Sequence, residues 1–423
     1  MPEDHHPMWR KLGLDLDKHD RLLGILNEFY PAVYLQQDQR PAAMDYFDFV
    51  ISEIHGLRIK ELLEHKAAGG KVVGTFCLYV PDELLTALEA IGVGLCAGTD
   101  FSIPDAEVDL PRNLCPLIKS FYGFKAGMIC PYFEATDVII GETTCDGKTK
   151  AYEVLGEKHP VRVLEIPHRK NDETFKLWRA ELSAFVDYLE ELTGNKLTAE
   201  KLRAAIELHN NKRRALQRLN KLRWRRPVPI SGKDALLINQ IAFYDDPARF
   251  TASVTKLADE VEARVGRGES PFAADAVPLM TSGTPYAIPN WKLHHVVEGP
   301  QRVIVAEESC VGSRYYSELV DEDAADLDGM LEALARRYFN IHCACFTPNT
   351  ERLDDIVELA GASGARGVIN YTLSFCTPYL VEDKLVRDRL EREGIPLLSL
   401  ESDYSMGDVE QLKTRIDAFV ESL

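Results

Sequence analysis

From Lys71 onward the chain alternates short apolar runs with helix-length segments, and it does so in two blocks. In the first block the runs are KVVGTFC (71–77), GVGLCAG (92–98), VIIGETTC (138–145) and VRVLEIPH (161–168). Between them, PDELLTALEAIG (81–92), CPLIKSFYGFKAG (115–127) and DGKTKAYEVLGEK (146–158) read as helices, and MICPYF (128–133) as a short strand or turn. Short runs that are apolar on both faces, separated by helices, predict a parallel doubly wound α/β sheet, because only helices on both faces bury such strands completely. The second block begins at Val277, with VPLMTSGTP, QRVIVAEESC, FNIHCACF, RGVINYTLSFC and IPLLSLESD as strands. LDGMLEALARRY, TERLDDIVELAG and a last segment from Val409 to Leu423 are its helices.

The rest of the chain carries no such runs. Residues 172–270 hold long charged helical segments, and Thr198 is a reasonable start for one of them. Near the N-terminus, Leu22, Leu23, Ile25, Leu26 and Phe29 recur at helical spacing, Met44 to Leu63 does the same, and Gly69-Gly70 ends the pattern. The expected organisation is an N-terminal helical segment (1–70), a first Rossmann-like domain (71–171), a helical layer (172–275) and a second Rossmann-like domain (276–423).

Charge and hydropathy narrow the setting. The formal charge of −18 argues against nucleic acid or an anionic membrane as partner, since both select basic surfaces. No apolar run approaches the ~20 residues of a membrane span. The first residues lack the apolar core of an export signal, so a cytoplasmic location is expected.

The nine cysteines then carry the most information. An odd number in a large chain of this kind is a poor disulfide framework. Cys77, Cys96, Cys145, Cys310 and Cys376 each follow a predicted strand, Cys345 ends a weaker one, and Cys115 opens a predicted helix. Open α/β sheets bind ligands outside the carboxyl ends of their strands, and helix N-termini stabilise thiolates. The pattern therefore points to thiols from both domains meeting at one site. Structural zinc favours paired short spacings, whereas only Cys343-Ala344-Cys345 is closely spaced here. Dispersed thiolates fit an iron–sulfur cluster better than zinc, and better than buried structural cysteines.

GTFCLYVPDEL (74–84), LCPLIKSFYGF (114–124), ETTCDGKTK (142–150) and LSFCTPYLVE (373–382) together resemble the 2-hydroxyacyl-CoA dehydratase superfamily, which includes benzoyl-CoA reductase subunits. The resemblance spans nearly the whole chain from Lys71. It implies two Rossmann-like domains with helical additions, and a 4Fe-4S cluster on Cys115, Cys145 and Cys376. Additional thiols in GLCAG (94–98), EESCVGSRYY (307–316) and CACFTP (343–348) set the chain apart from dehydratase subunits. The full set is similar to the double-cubane cluster proteins of the same superfamily. That likeness implies an 8Fe-9S cluster with three cysteines per cubane and a homodimer. It also implies a partner, an ATP-dependent 4Fe-4S reductase with an actin-like fold, and the reduction of small molecules such as acetylene.

Cys96, Cys310 and Cys345 are the expected second trio, because they close predicted strands or adjoin Gly-rich turns; Cys77 and Cys343 compete with them. Cys130, beside Pro131, reads as structural. Two other functions stay open: a dehydratase subunit with one 4Fe-4S cluster, and a non-catalytic electron store.

Among the remaining polar residues, Lys119 lies one turn after Cys115 and is either a donor to the site or a surface lysine. Glu142, Glu308 and Arg314 flank cysteines and either move protons or form ordinary ion pairs. His294-His295 reads as core or surface rather than metal-binding. The basic run 208–226 reads as a solvated helix face or a docking surface. Ser231-Gly232-Lys233 lacks the frame of a P-loop, so ATP chemistry is expected from the partner.

Overall fold

The strands VIIGE and GVINYTL are buried at every residue, as central strands are when helices cover both faces of a sheet. In the computed structural model, which describes residues 4–423, each lies inside its own four-stranded parallel sheet. The first sheet contains β1 (Lys71–Thr75), β2 (Ala90–Gly94), β3 (Val138–Glu142) and β4 (Val161–Leu164), in the order β2-β1-β3-β4. The second contains β5 (Val277–Gly283), β6 (Arg302–Glu308), β7 (Gly367–Leu373) and β8 (Leu397–Ser402), in the order β6-β5-β7-β8. The two halves thus repeat one topology. In each, strand order reverses beside the first strand, which opens a crevice at the carboxyl ends of the strands.

Helices fill the segments where strand patterns are absent. Near the N-terminus they are His6–Leu12, Leu16–Tyr30, Asp45–Ser52 and Leu57–Ala67. The middle of the chain forms Asp172–Thr193, Ala199–Leu222, Gly232–Ile241 and Pro247–Arg267. Their ends follow local chemistry. Asn171 and Thr174 form a reciprocal capping box, and Thr198 accepts the Lys201 N–H at 3.2 Å.

The helix Ala199–Leu222 ties the two sheets together. Arg213 donates to Glu83 at 2.6 Å, beyond β1, and Arg223, just past the helix end, donates to Glu307 of β6 at 2.6 Å. Both arginines are fully buried. This corrects the reading of 208–226 as a solvated face. Arg214 and Arg218 do face outward, paired with Glu322, Asp259 and Glu262, but the same helix buries Lys212 and Arg213, and Arg223 is buried just past its end.

Two element expectations also change. FNIHCACF is not a strand but a loop after the helix Leu327–Phe339, and its N–H groups close local turns (Cys343 to Ile341, Phe346 to Cys343, both 3.1 Å) instead of joining a sheet. MICPYF becomes a turn leading into the short helix Pro131–Ala135, with proline at its first position. No helix among the described residues is long and apolar enough to cross a membrane.

Candidate metal centre

At the carboxyl ends of both sheets lies a cavity of about 750 Å³. Eight of the nine cysteines line it: Cys77, Cys96, Cys115, Cys145, Cys310, Cys343, Cys345 and Cys376. Cys130 does not. It caps the helix Pro131–Ala135, and burial pushes its thiol up to about 12.

Three thiols sit on helix N-termini. Cys115, Cys145 and Cys376 are the N-cap residues of Pro116–Ala126, Asp146–Leu155 and Thr377–Arg392. Lys148 donates its backbone N–H to Cys145 at 3.5 Å, while the backbone N–H groups of Leu117 and Ile118 near Cys115, and of Tyr379 near Cys376, favour the thiolate without closing a cap hydrogen bond. Those N–H groups form the positive end of a helix, which favours thiolate over thiol. Gly147 lets two of these helices approach. A Cβ there would fall 2.9 Å from Leu114 Cδ1 and 3.1 Å from Ile118 Cδ1.

Six of the thiols also act on one another in pairs: Cys376 with Cys115, Cys77 with Cys310, and Cys345 with Cys343. In each pair one thiol (Cys115, Cys310, Cys343) is drawn down and the other is pushed up. For Cys115, Cys376 is the main cause and the helix N–H groups assist, against the opposing effect of burial. For Cys310, Cys77 is the main cause and the Arg314 guanidinium assists, again against burial. Cys343 falls to about 5 through Cys345, with Arg314 adding to it. Cys96 differs. Its thiol donates to the Phe76 carbonyl at 2.7 Å, and burial pushes it up to about 12.

The polar residues around the thiols sort clearly. Arg314 reaches within 3.7 Å of the Cys310 sulfur and also bonds Glu308 and the Tyr379 hydroxyl. Burial pushes the Glu308 carboxyl up, but Arg314 and Arg352 outweigh it and hold it below the usual range. Glu142 accepts the Cys77 N–H at 3.1 Å, and burial raises its carboxyl. Lys119 is turned elsewhere: its amine donates to Glu107 and the Arg112 carbonyl, both at 2.9 Å, and it is not in the cavity wall. His294 is fully buried against Tyr286, 3.5 Å from Glu307.

Sequence reasoning missed Lys148, Tyr79 and Tyr379. Lys148 lines the cavity with its amine 3.5 Å from Glu142. The hydroxyls of Tyr79 and Tyr379 stand 4.0 Å from Cys345 and Cys343. A signal was present, because Lys148 and Tyr379 each follow a capping cysteine by three residues, which sets both on the face of that cysteine.

Among the described residues, no three His, Cys, Asp or Glu side chains converge as a single ion requires. The thiols instead surround a volume, the arrangement needed when each thiolate binds a different iron. Soft donors, helix N-termini and a cavity of this size fit an iron–sulfur group.

Fold and site together define an α/β protein in which two parallel sheets share one cavity walled by thiols. Residues 77–423 match the model of the family described as 2-hydroxyglutaryl-CoA dehydratase, D-component, and the chain belongs to that family. It is 35% identical to "Putative dehydratase subunit YjiM" of Escherichia coli (strain K12), over 90% of this chain and 98% of that one. It is 26% identical to the (R)-phenyllactyl-CoA dehydratase beta subunit of Clostridium sporogenes, over 86% and 95%. It is 20% identical to a benzoyl-CoA reductase subunit of Thauera aromatica, over 84% and 91%.

Proposed function

We propose that this chain is the iron–sulfur component of a cytoplasmic two-part reductase for a small molecule. The observation that carries the reading is the meeting of eight thiols from two sheets around one cavity. Cys115, Cys145 and Cys376 would hold one cubane. Cys77, Cys310 and the Cys343–Cys345 loop would hold the other, in preference to a trio containing Cys96, whose thiol is engaged by Phe76. Bound there, an 8Fe-9S group supplies low-potential electrons.

The protein's own residues do the rest. The helix N-termini at Cys115, Cys145 and Cys376 offset negative charge, and Arg314 does the same beside Cys310. Lys148 holds a proton at Nζ beside Glu142, and Tyr379 holds one at its hydroxyl, steadied by Arg314. Glu308 fixes Arg314 from behind. Phe375, Val381 and Leu385 line the cavity and are more than half exposed, an apolar rim that a partner or a second copy of the chain would cover. The chain lacks a P-loop frame, so an ATP-dependent reductase with its own 4Fe-4S cluster is the proposed electron donor.

The second reading is a 2-hydroxyacyl-CoA dehydratase subunit with one 4Fe-4S cluster on Cys115, Cys145 and Cys376. It is supported by the family and by relatives that are dehydratase beta subunits. Iron and acid-labile sulfide on anaerobically purified protein separate the two. About eight irons per chain supports the first reading, about four the second, and fewer than about one after reconstitution overturns both.

A further inference from the structure

A second cavity, of about 620 Å³, lies under the N-terminal helices. Its wall is mostly apolar, including Leu22, Leu26, Ile51, Phe124, Phe133 and Trp291, with Asn27, Asp48, Ser52 and Glu53 at its polar side. The polar side chains around it are satisfied. His5 pairs with Glu53 at 2.9 Å, Tyr30 bonds Asp48, and the Tyr132 hydroxyl donates to the Ile54 carbonyl at 2.8 Å. No residue of this wall is among the described residues that leave a buried side-chain nitrogen or oxygen without a partner. Water therefore gains little there, and a chamber of this kind takes apolar ligands. Leu35 and Phe49, each 53% exposed, line it beside the exposed Asn27 and Ser52.

The inner end of this chamber is the back wall of the cysteine cavity. Gly94, Cys96, Tyr244 and Ile288 line both. The partition is thin because Gly94 lets the neighbouring chain come close. Its N–H donates to the Phe243 carbonyl at 2.8 Å, and a Cβ on it would fall 3.0 Å from Phe243 Cβ. The Tyr244 hydroxyl then closes onto the Cys96 carbonyl at 3.0 Å. Cys96 is thus a partition residue with its thiol tied to the main chain.

We propose that this chamber binds small, uncharged apolar molecules and passes them to the cysteine cavity past Cys96, Tyr244 and Ile288. The passage to that cavity rests on the proposed reduction of a small molecule; binding within the chamber does not. The test uses the full chain, purified anaerobically. Crystals pressurised with xenon should show xenon among Leu26, Ile51 and Trp291. Ile51→Trp should abolish it, and Ile51→Ala should raise its occupancy. Dioxygen, itself small and apolar, then probes the passage. Bleaching of the visible iron–sulfur absorption should slow several-fold in Ile51→Trp and in Leu26→Trp, with iron content unchanged. Absence of xenon from the chamber overturns the binding proposal. Xenon bound with unchanged bleaching overturns the passage. Iron content near zero with xenon bound overturns the iron–sulfur reading and leaves the binding site standing.

Discussion

Arg314 holds a guanidinium nitrogen 3.7 Å from the sulfur of Cys310, while its nitrogens also bond Glu308, the Tyr379 hydroxyl and the Gly283 carbonyl. Arg314, Glu308, Arg352 and Glu382 form a chain of alternating charge, all buried. Removing one member leaves an opposite charge without its partner, which costs about 3–5 kcal/mol in a buried pair. Arg314→Gln is therefore expected to lower the unfolding free energy by that much, measured by denaturant titration. A loss under about 1 kcal/mol would mean that Arg352 alone satisfies Glu308.

The placement of the thiols separates ligand cysteines from the others. Cys115→Ser, Cys145→Ser, Cys376→Ser, Cys77→Ser and Cys310→Ser should each reduce iron per chain by about half or more, because each removes one of about three thiolates from a cubane. Cys130→Ser and Cys96→Ser should leave iron unchanged. Iron loss in Cys96→Ser together with full iron in Cys77→Ser would return the second trio to Cys96.

Much of this architecture is readable from the residues alone. The runs KVVGT and VIIGE are too short and too apolar for surface helices, so the parallel sheets and the strand-end position of Cys77 and Cys145 follow from pattern. Lys119 and Lys148 show where pattern stops. Each stands three or four residues after a capping cysteine, and local spacing treats them alike. Glu107 and the Arg112 carbonyl draw one amine away, and only tertiary structure reveals that. The same holds for the basic helix. Its period marks a face, but not that Glu83 and Glu307 wait at two points along it for Arg213 and Arg223. Cys343 and Cys345 look like strand residues by composition, yet their loop has no sheet edge to join.

Acid should destabilise the fold through its buried histidines, His19 and His209 among them. Burial lowers both His19 and His209 to about 4. His19 shares a hydrogen bond with His55 at 3.0 Å, and His209 shares one with Thr86 at 2.8 Å. The unfolded chain takes up these protons near pH 6.5, the folded chain only near 4, so the unfolded state binds more protons between those values. Their contribution to stability is then full above about pH 6.5 and falls as pH drops toward 4, by roughly 1.4 kcal/mol per pH unit near pH 5 for each histidine. Urea unfolding between pH 7 and 4.5 measures this. In His209→Gln the slope should fall by about 1.4 kcal/mol per pH unit, and an unchanged slope would locate the effect in other groups.

On the proposed function, Lys148 is the group that would deliver a proton to the cavity, and replacing it should leave iron unchanged. Its amine lies 3.5 Å from Glu142, 5.7 Å from the centre of the Tyr152 ring, and in the cavity wall. Burial works against its charge, but the surrounding Tyr152, Cys77 and Glu142 outweigh it and keep the amine protonated. Lys148→Met retains the bulk and removes the proton. Glu142, already raised by burial, then loses its neighbouring cation and is driven further toward its neutral form, so the site adapts by protonation rather than by unfolding. On the proposed function, small-molecule turnover in anaerobic assays with the proposed reductase partner should fall about 100-fold, the size of a lost general acid. Iron per chain and the visible spectrum should match the parent protein. Lys148→Arg keeps a charge but binds its proton too tightly to release it, and should recover little of the loss. Turnover near the parent level in Lys148→Met would assign the proton to Tyr379, and Tyr379→Phe would then carry the defect.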